Sequence, residues 1–298
     1  MSGYLNELSG VDNFKEWLVK QRKDALGIGD EESVRNFGSS SELNRALGAN
    51  SISPVSGQID LSSSPVDKKK AMESILASLK KVGITNPYVH AGVLGVCHKE
   101  GGFNIQGGEM SYKNTPATRI REVFGKRVRG LSNSEIDTLK KNDVAFWDRV
   151  YGVDDPTGMG KKLGNTSPGD GLKYRGRGYN GITFKTGYQK YTDMLRKMNP
   201  PTNVDLVANP DILEKDFQVA ADVAALYFLE VLNNPIIKRK YRNKDHNDFK
   251  DLKTATEAVS NANAGAGNNV YAGIIGDGTR KAIAFAQNLD LGNLSTTA

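Results

Sequence analysis

The sequence predicts a mainly helical α+β domain with one small β element. Apolar residues recur at helical spacing in most segments after residue 64, capping residues and glycines separate those segments, and strand-like stretches are confined to residues 103–105 and 179–184. The preceding region is different. Gly, Ser and Asn accumulate from Gly38 to Ser64, a composition that buries little apolar surface. Phe14, Trp17 and Leu18 allow one short amphipathic helix ahead of it. The expected organisation is a polar arm and linker over 1–63, a folded domain over 64–290 and a tail over 291–298, with no internal repeat.

Ser64-Pro65 opens the first helix of the domain, with Ala71, Ile75, Leu79 and Val82 on one face and Gly83 as its stop. Asn86 and Pro87 read as the N-cap and first residue of the next, whose Val89, Val93, Val96 and Cys97 define a buried face. Thr115-Pro116 caps a helix carrying Ile120, Val123 and Phe124, and Asn142 begins one with Val144, Trp147 and Val150. Residues 152–171, rich in Gly, Asp and Pro, predict a loop. Further helices are expected over 186–198, 211–232, 248–262 and 278–289.

The 298 residues carry a formal charge of +6, which suggests an anionic partner, either nucleic acid or an acidic cell-surface polymer. The short runs Lys68-Lys69-Lys70 and Lys238-Arg239-Lys240 read as solvated helix faces. The single cysteine, Cys97, excludes an internal disulfide framework and reads as a small core residue. His90, His98 and His246 show no paired-ligand spacing, which argues against structural zinc. The N-terminus lacks the basic and apolar regions of a Sec signal, and no apolar run is long enough to span a bilayer.

Chemistry concentrates in Val93-Leu-Gly-Val-Cys-His-Lys-Glu-Gly-Gly-Phe103 and Glu109-Met-Ser-Tyr112. Glu100 falls on the last helical turn, at the negative end of the dipole, where ionisation is disfavoured. Partial burial there raises a carboxyl pKa further, as a general acid requires. Glu109 follows nine residues later. On one continuous helix that offset puts the two side chains on opposite faces, so the chain must fold back at Gly101-Gly102 for both to face one cleft.

The second unusual stretch is Gly169-Asp-Gly-Leu-Lys-Tyr-Arg-Gly-Arg-Gly-Tyr-Asn-Gly-Ile-Thr-Phe184. Gly176, Gly178 and Gly181 match a dinucleotide fingerprint in form, but no apolar strand precedes them and no βαβ unit surrounds them. Arg175, Arg177 and Tyr179 interleave basic and aromatic residues as in single-strand binding, without a nucleic-acid-binding context. The remaining reading is a tight glycine loop placing Thr183 at a cleft wall, with arginines that hold the loop or bind anionic groups.

Six motifs in order carry a family resemblance: His98-Lys-Glu-Gly-Gly-Phe103, Glu109-Met-Ser-Tyr112, Arg149-Val-Tyr-Gly152, Lys162-Leu-Gly-Asn165, Gly169-Asp-Gly171 and Arg175-Gly-Arg-Gly178. Over residues 64–289 the chain resembles glycoside hydrolase family 19, the plant-type chitinases and related phage endolysins. The resemblance implies a lysozyme-like fold and hydrolysis of β-1,4 bonds in chitin or peptidoglycan, with no cofactor and no metal. It makes Glu100 the general acid, Glu109 the general base and Thr183 the hydroxyl that positions water. Tyr112, Arg175, Arg177, Tyr179, Asn261 and Asn263 become expected substrate contacts. An inverting reaction needs its carboxyls roughly 6.5–9.5 Å apart.

The sequence departs from the family pattern at four places. Lys99 separates His98 from Glu100, Gly181 replaces a Gln, Gly187 replaces an Asn, and the late Asn-Gly-Gly motif is blurred into Ser260-Asn-Ala-Asn-Ala-Gly265. The expected partner is the glycan strand of peptidoglycan, with neither nucleic acid nor membrane insertion. The expected location is a phage tail or the host cytoplasm before lysis, and residues 1–63 would dock on tail or baseplate proteins. The alternative from another class is a tail or baseplate structural protein keeping a lysozyme-like domain of weak or no activity. Deleting residues 1–63 is expected to leave a cooperatively melting domain whose thermal midpoint shifts little. Loss of cooperative melting would place the arm in the core.

Overall fold

A computed structural model describes residues 66–105, 111–242, 244–264 and 272–289. The arm and linker expected over 1–63 and the tail over 291–298 lie outside them. The described residues are mainly helical and contain no strand. One isolated antiparallel bridge, Arg177 with Ile182, stands where the strand over 179–184 was expected, and 103–105 is irregular chain leaving a helix. The physical reason lies in the backbone. Gly178 (φ 72°) and Gly181 (φ 60°) are left-handed, and Phe103 is too (φ 68°), so extended pairing cannot propagate through either stretch.

The described residues divide into two compact units, one with residues 86–96 and those from 232 onward, the other with residues 66–85 and 97–231. In the second unit, α1 (Val66–Lys81) buries Ala71, Ile75 and Leu79, while Val82 is only half-buried. Its end is a Schellman cap: Ile84 N–H donates to Leu79 O at 2.9 Å, Gly83 N–H to Lys80 O at 3.0 Å, and Gly83 takes φ 85°. The buried Asp222 ties α1 to α9 (Phe217–Leu232). Its carboxylate accepts hydrogen bonds from Ser78 (2.7 Å), Gln218 (3.0 Å), Thr202 (3.1 Å) and Lys81 (3.2 Å), which leaves the buried charge fully partnered. The helix expected over 211–232 is in fact a 3-10 turn, Pro210–Glu214, and then α9, because Asp216 caps the backbone N–H of Gln218 and Val219.

Between them, α3 (Ala117–Phe124) turns Ile120, Val123 and Phe124 inward as expected. The helix α4 (Asn133–Leu139) was not expected, although Ser132 and Glu135 form a complete capping box, a signal present in the sequence. On α5 (Asp143–Tyr151), capped by Asn142, Trp147 and Val150 are buried but Val144 is exposed. The core here is aromatic. Tyr112 meets Phe124, Phe146 and Trp147, Trp147 stacks on Tyr151 at 5.3 Å, and Tyr151 meets Phe184 edge-on at 5.4 Å.

The segment 152–171 expected as loop carries two single-turn helices, α6 (Met159–Lys162) and α7 (Asp170–Lys173). Buried carboxylates organise it. Asp148 accepts from Gly169 N–H (2.6 Å) and Gly171 N–H (3.0 Å), Asp170 from Thr166 and Ser167 N–H, and Asp155 from Gly160 N–H. Asn165 closes the segment, donating to Tyr151 O and accepting from Lys185 N–H at the start of α8 (Lys185–Arg196). Three of the motif stretches, around Arg149, Asn165 and Asp170, therefore have a direct role in folding this segment.

The first unit contains residues 87–96 of α2 (Pro87–Gly101), whose last residues belong to the second. Asn86 Oδ1 accepts from Tyr88 and Val89 N–H, and its amide donates to Asn247 O and Phe249 O. Here α10 (Pro235–Lys240) precedes α11 (Leu252–Ala264), which starts four residues later than expected because Asp251 caps Thr254 N–H. The last helix, α12 (Ala272–Gln287), packs on α11. Gly92 and Gly95 let α2 approach these two: an added Cβ would lie 3.0 Å from Thr256 Cα and 2.3 Å from Ala282 O respectively. No helix among the described residues is long and apolar enough to cross a membrane. A Cβ on Gly171 would lie 2.2 Å from Trp147 O, so Gly171→Ala is expected to lower stability by about 1–3 kcal/mol, measured by urea unfolding.

Candidate active site

Glu100 lies on the last turn of α2 with 8 % of its surface exposed. The helix stops at once. Gly102 N–H donates to His98 O at 2.8 Å, Asn104 N–H to Gly101 O at 3.0 Å, and successive residues Gly102 (φ 61°) and Phe103 (φ 68°) are left-handed. A bulky residue in that region is strained, typically by about 1–3 kcal/mol. Burial of the Phe103 ring, 5.8 Å from that of His98, helps to hold it there. Burial, followed by the charge of Lys68, moves the His98 pKa below its ordinary value.

Lys99 Nζ lies 2.7 Å from Glu100 Oε1, with side-chain exposures of 17 % and 5 %. An ammonium at that distance favours the charged form of a carboxylate, opposing the effect of the helix C-terminus. Glu109, the expected partner carboxylate, lies outside the described residues. Among the described residues no group of three or more His, Cys, Asp or Glu side chains is arranged to hold a metal ion.

The glycine loop belongs to the same compact unit as Glu100. Arg177 is its anchor and is 2 % exposed. Its Nη1 donates to Lys173 O (2.7 Å) and the Tyr188 hydroxyl (3.0 Å), its Nη2 reaches Asp211 (2.7 Å), and its Nε lies 3.2 Å from Glu214. Burial opposes the arginine's charge, yet Tyr188, Glu214 and Asp211 outweigh it and its pKa is raised. Burial likewise pushes up the pKa of Tyr188, whose hydroxyl donates to Arg175 O at 2.6 Å. Arg175 pairs with Glu214 at 3.2 Å and donates to Leu172 O. Of the two arginine roles open in the sequence, Arg177 holds the loop and has almost no surface left to touch a substrate. Arg175 keeps 22 % of its side chain exposed.

Tyr179 is buried rather than displayed, and its hydroxyl lacks a hydrogen-bond partner among the described residues. Burial raises its pKa, and the nearby thiol of Cys97 raises it further. This pairing links the loop to α2 one turn before Glu100. Among the described residues both ends of the Asn180 amide are likewise buried without a hydrogen-bond partner; the sequence marked it only by its place between Gly178 and Gly181. Thr183 is half-buried and donates its hydroxyl hydrogen to Gly181 O at 2.9 Å, leaving its lone pairs to accept. The next residue, Phe184, has φ 64° and ψ 147°, a region nearly reserved for glycine.

The other expected contacts are placed differently. Tyr112 is half-buried in the aromatic core. Asn261 and Asn263 belong to the other compact unit, on α11, where the Asn261 amide donates to the Tyr241 hydroxyl. That hydroxyl's pKa rises to about 12, chiefly through burial. Comparison with models of known families finds none that matches the chain, and comparison with curated proteins finds no match either.

Removing one partner of a buried ion-pair network costs about 3–5 kcal/mol. Arg177→Met is therefore expected to lower stability by about that amount, and the more exposed Arg175→Met by clearly less. Chemical denaturation of the two variants measures the difference.

Proposed function

We propose that the chain is a phage-type muralytic glycosidase with a lysozyme-like domain, hydrolysing β-1,4 bonds of peptidoglycan with inversion. The observation that carries this reading is the placement of Glu100, buried on the terminal turn of α2 directly before the strained turn at Gly102 and Phe103. The ordered motifs of the sequence support it. In this reaction Glu100 gives its proton to the glycosidic oxygen as the bond to the anomeric carbon breaks. Glu109 takes a proton from a water, whose oxygen bonds to that carbon from the opposite face. Thr183, with its hydrogen already given to Gly181 O, accepts a hydrogen bond from the same water and orients it. Of the expected substrate contacts, Arg175 keeps enough exposed side chain to meet the glycan directly, whereas the buried Arg177 and Tyr179 act through the loop they hold.

One observation favours a second reading. The Lys99 ammonium beside Glu100 stabilises the ionised carboxylate, which a general acid must not be. This suits a tail or baseplate component whose lysozyme-like domain has weak or no activity, anchored through residues 1–63. A zymogram on purified cell walls separates the two readings.

Glu100→Gln is expected to abolish wall lysis at unchanged melting behaviour, with a loss of about 10²–10⁴-fold in rate. A folded variant lysing at the parental rate would remove Glu100 from its role. Lys99→Gln removes the charge that favours ionised Glu100, so the acid stays protonated to higher pH. The alkaline limb of the kcat profile should therefore move upward in pH, and an unmoved limb would mean that Glu100 is not the titrating acid.

A further inference from the structure

The segment around α10 concentrates positive charge. Asn234 caps α10 by accepting from Ile236 N–H at 2.9 Å, and Arg242, left-handed at φ 60°, turns the chain after it. Five of the seven residues 238–244 are cationic: Lys238, Arg239, Lys240, Arg242 and Lys244. Lys238 approaches Asp245 at 3.9 Å, and among the described residues the other four form no ion pair. Arg239, Lys240 and Arg242 are exposed, as is Ile236 beside them.

The three carboxylates over residues 245–251 are engaged with backbone, and Glu257 on α11 adds a negative charge that acts on Tyr241. Asp245 accepts from Asn247 N–H, Asp248 from Asp245 N–H, and Asp251 from Thr254 N–H. Their charges offset part of the patch, but Lys250 adds a sixth cation, so an excess of three remains over residues 238–251. The excess lies on the solvent-exposed side chains of one short turn of chain.

The chemistry narrows the partner. A single-stranded nucleic acid is held by phosphate contacts together with free aromatic faces on which bases stack. Here Phe249 is buried beneath Lys244, whose Nζ lies 5.6 Å from the ring centroid. Tyr241 is half-buried, bonded to Asn261, and has Lys240 Nζ 6.0 Å from its centroid. Neither ring is displayed for stacking, and α10, at six residues, is too short to fill a duplex groove. What remains is recognition of negative charge along a flexible polyanion.

We propose that Arg239, Lys240 and Arg242 form a binding site for a phosphodiester-linked anionic polymer of the cell wall. The choice of a wall polymer rests on the glycosidase reading above. The site lies in the compact unit that does not contain Glu100, so it supplies wall retention separately from bond cleavage.

The test uses the full chain and poly(glycerol phosphate) as probe, with mixed-sequence duplex DNA at equal phosphate concentration as the competing arm. The variant is Arg239→Gln/Lys240→Gln/Arg242→Gln. The control, Lys126→Gln/Lys161→Gln/Lys197→Gln, removes the same charge from exposed positions elsewhere. Each phosphate contact contributes about 0.7–0.9 to the slope of log affinity against log salt, so losing three lowers it by about 2–3. The patch variant should show that drop and bind about tenfold or more weakly, while the control stays close to the parent. Equal loss in both variants would reduce the effect to net charge and overturn the site. Preference of the parent for duplex DNA would overturn the wall polymer as its ligand. Hydrolysis of polymer-stripped glycan is read separately: its absence in the parent fails the glycosidase reading, whereas the binding comparison decides the patch.

Discussion

A buried guanidinium sets the geometry of the glycine loop. Arg177 is nearly inaccessible to water, so protein must meet its charge: its Nη atoms donate to Lys173 O, Tyr188 and Asp211, and its Nε lies 3.2 Å from the Glu214 carboxylate as an ion pair without hydrogen-bond geometry. Those partners come from three different elements: α7, α8 and the 3-10 turn over Pro210–Glu214. Satisfying one cation therefore fixes where the loop starts, where α8 begins and where the turn before α9 sits. Thr183 and Tyr179 lie within the span so constrained. A lysine could not replace this arginine, since one ammonium does not reach partners in several directions from a planar fork.

Two phenylalanines record the cost of this geometry. Phe103 follows Glu100 by three residues and Phe184 follows Thr183 directly, and both occupy positive φ, where side chains are disfavoured. Their aromatic surroundings are what tolerate the strain. Phe184 packs edge-on against Tyr151, and Phe103 is buried beside His98. Such strain persists where surrounding contacts over-determine a conformation, and here it flanks the residues to which the proposed chemistry assigns proton donation and water positioning.

Among the described residues, the end of a helix and a neighbouring ammonium act on Glu100 in opposite senses. The end of α2 disfavours its negative charge, and Lys99 favours it. The second influence comes from the residue that separates His98 from Glu100.

Much of the helical architecture was legible in the sequence, because caps and breakers act locally. Asn86, Asn142 and Gly83 do what their side chains, or lack of one, allow within a few residues. The capping box at Ser132 and Glu135 was equally local and was overlooked, while the break before α9 hinged on one Asp at 216 inside an otherwise helical pattern. Glu100 at a helix end could be read from Gly101-Gly102 alone. The sequence could not decide which arginine of Arg175-Gly-Arg-Gly178 is buried, that Tyr179 turns inward, or that Lys99 meets Glu100. Those outcomes depend on partners far along the chain, such as Asp211 and Glu214 for Arg177. Local chemistry therefore determined where the helices begin and end, and tertiary packing alone decided which polar groups are enclosed, because only the folded chain sets the distance from each to water and to an opposite charge.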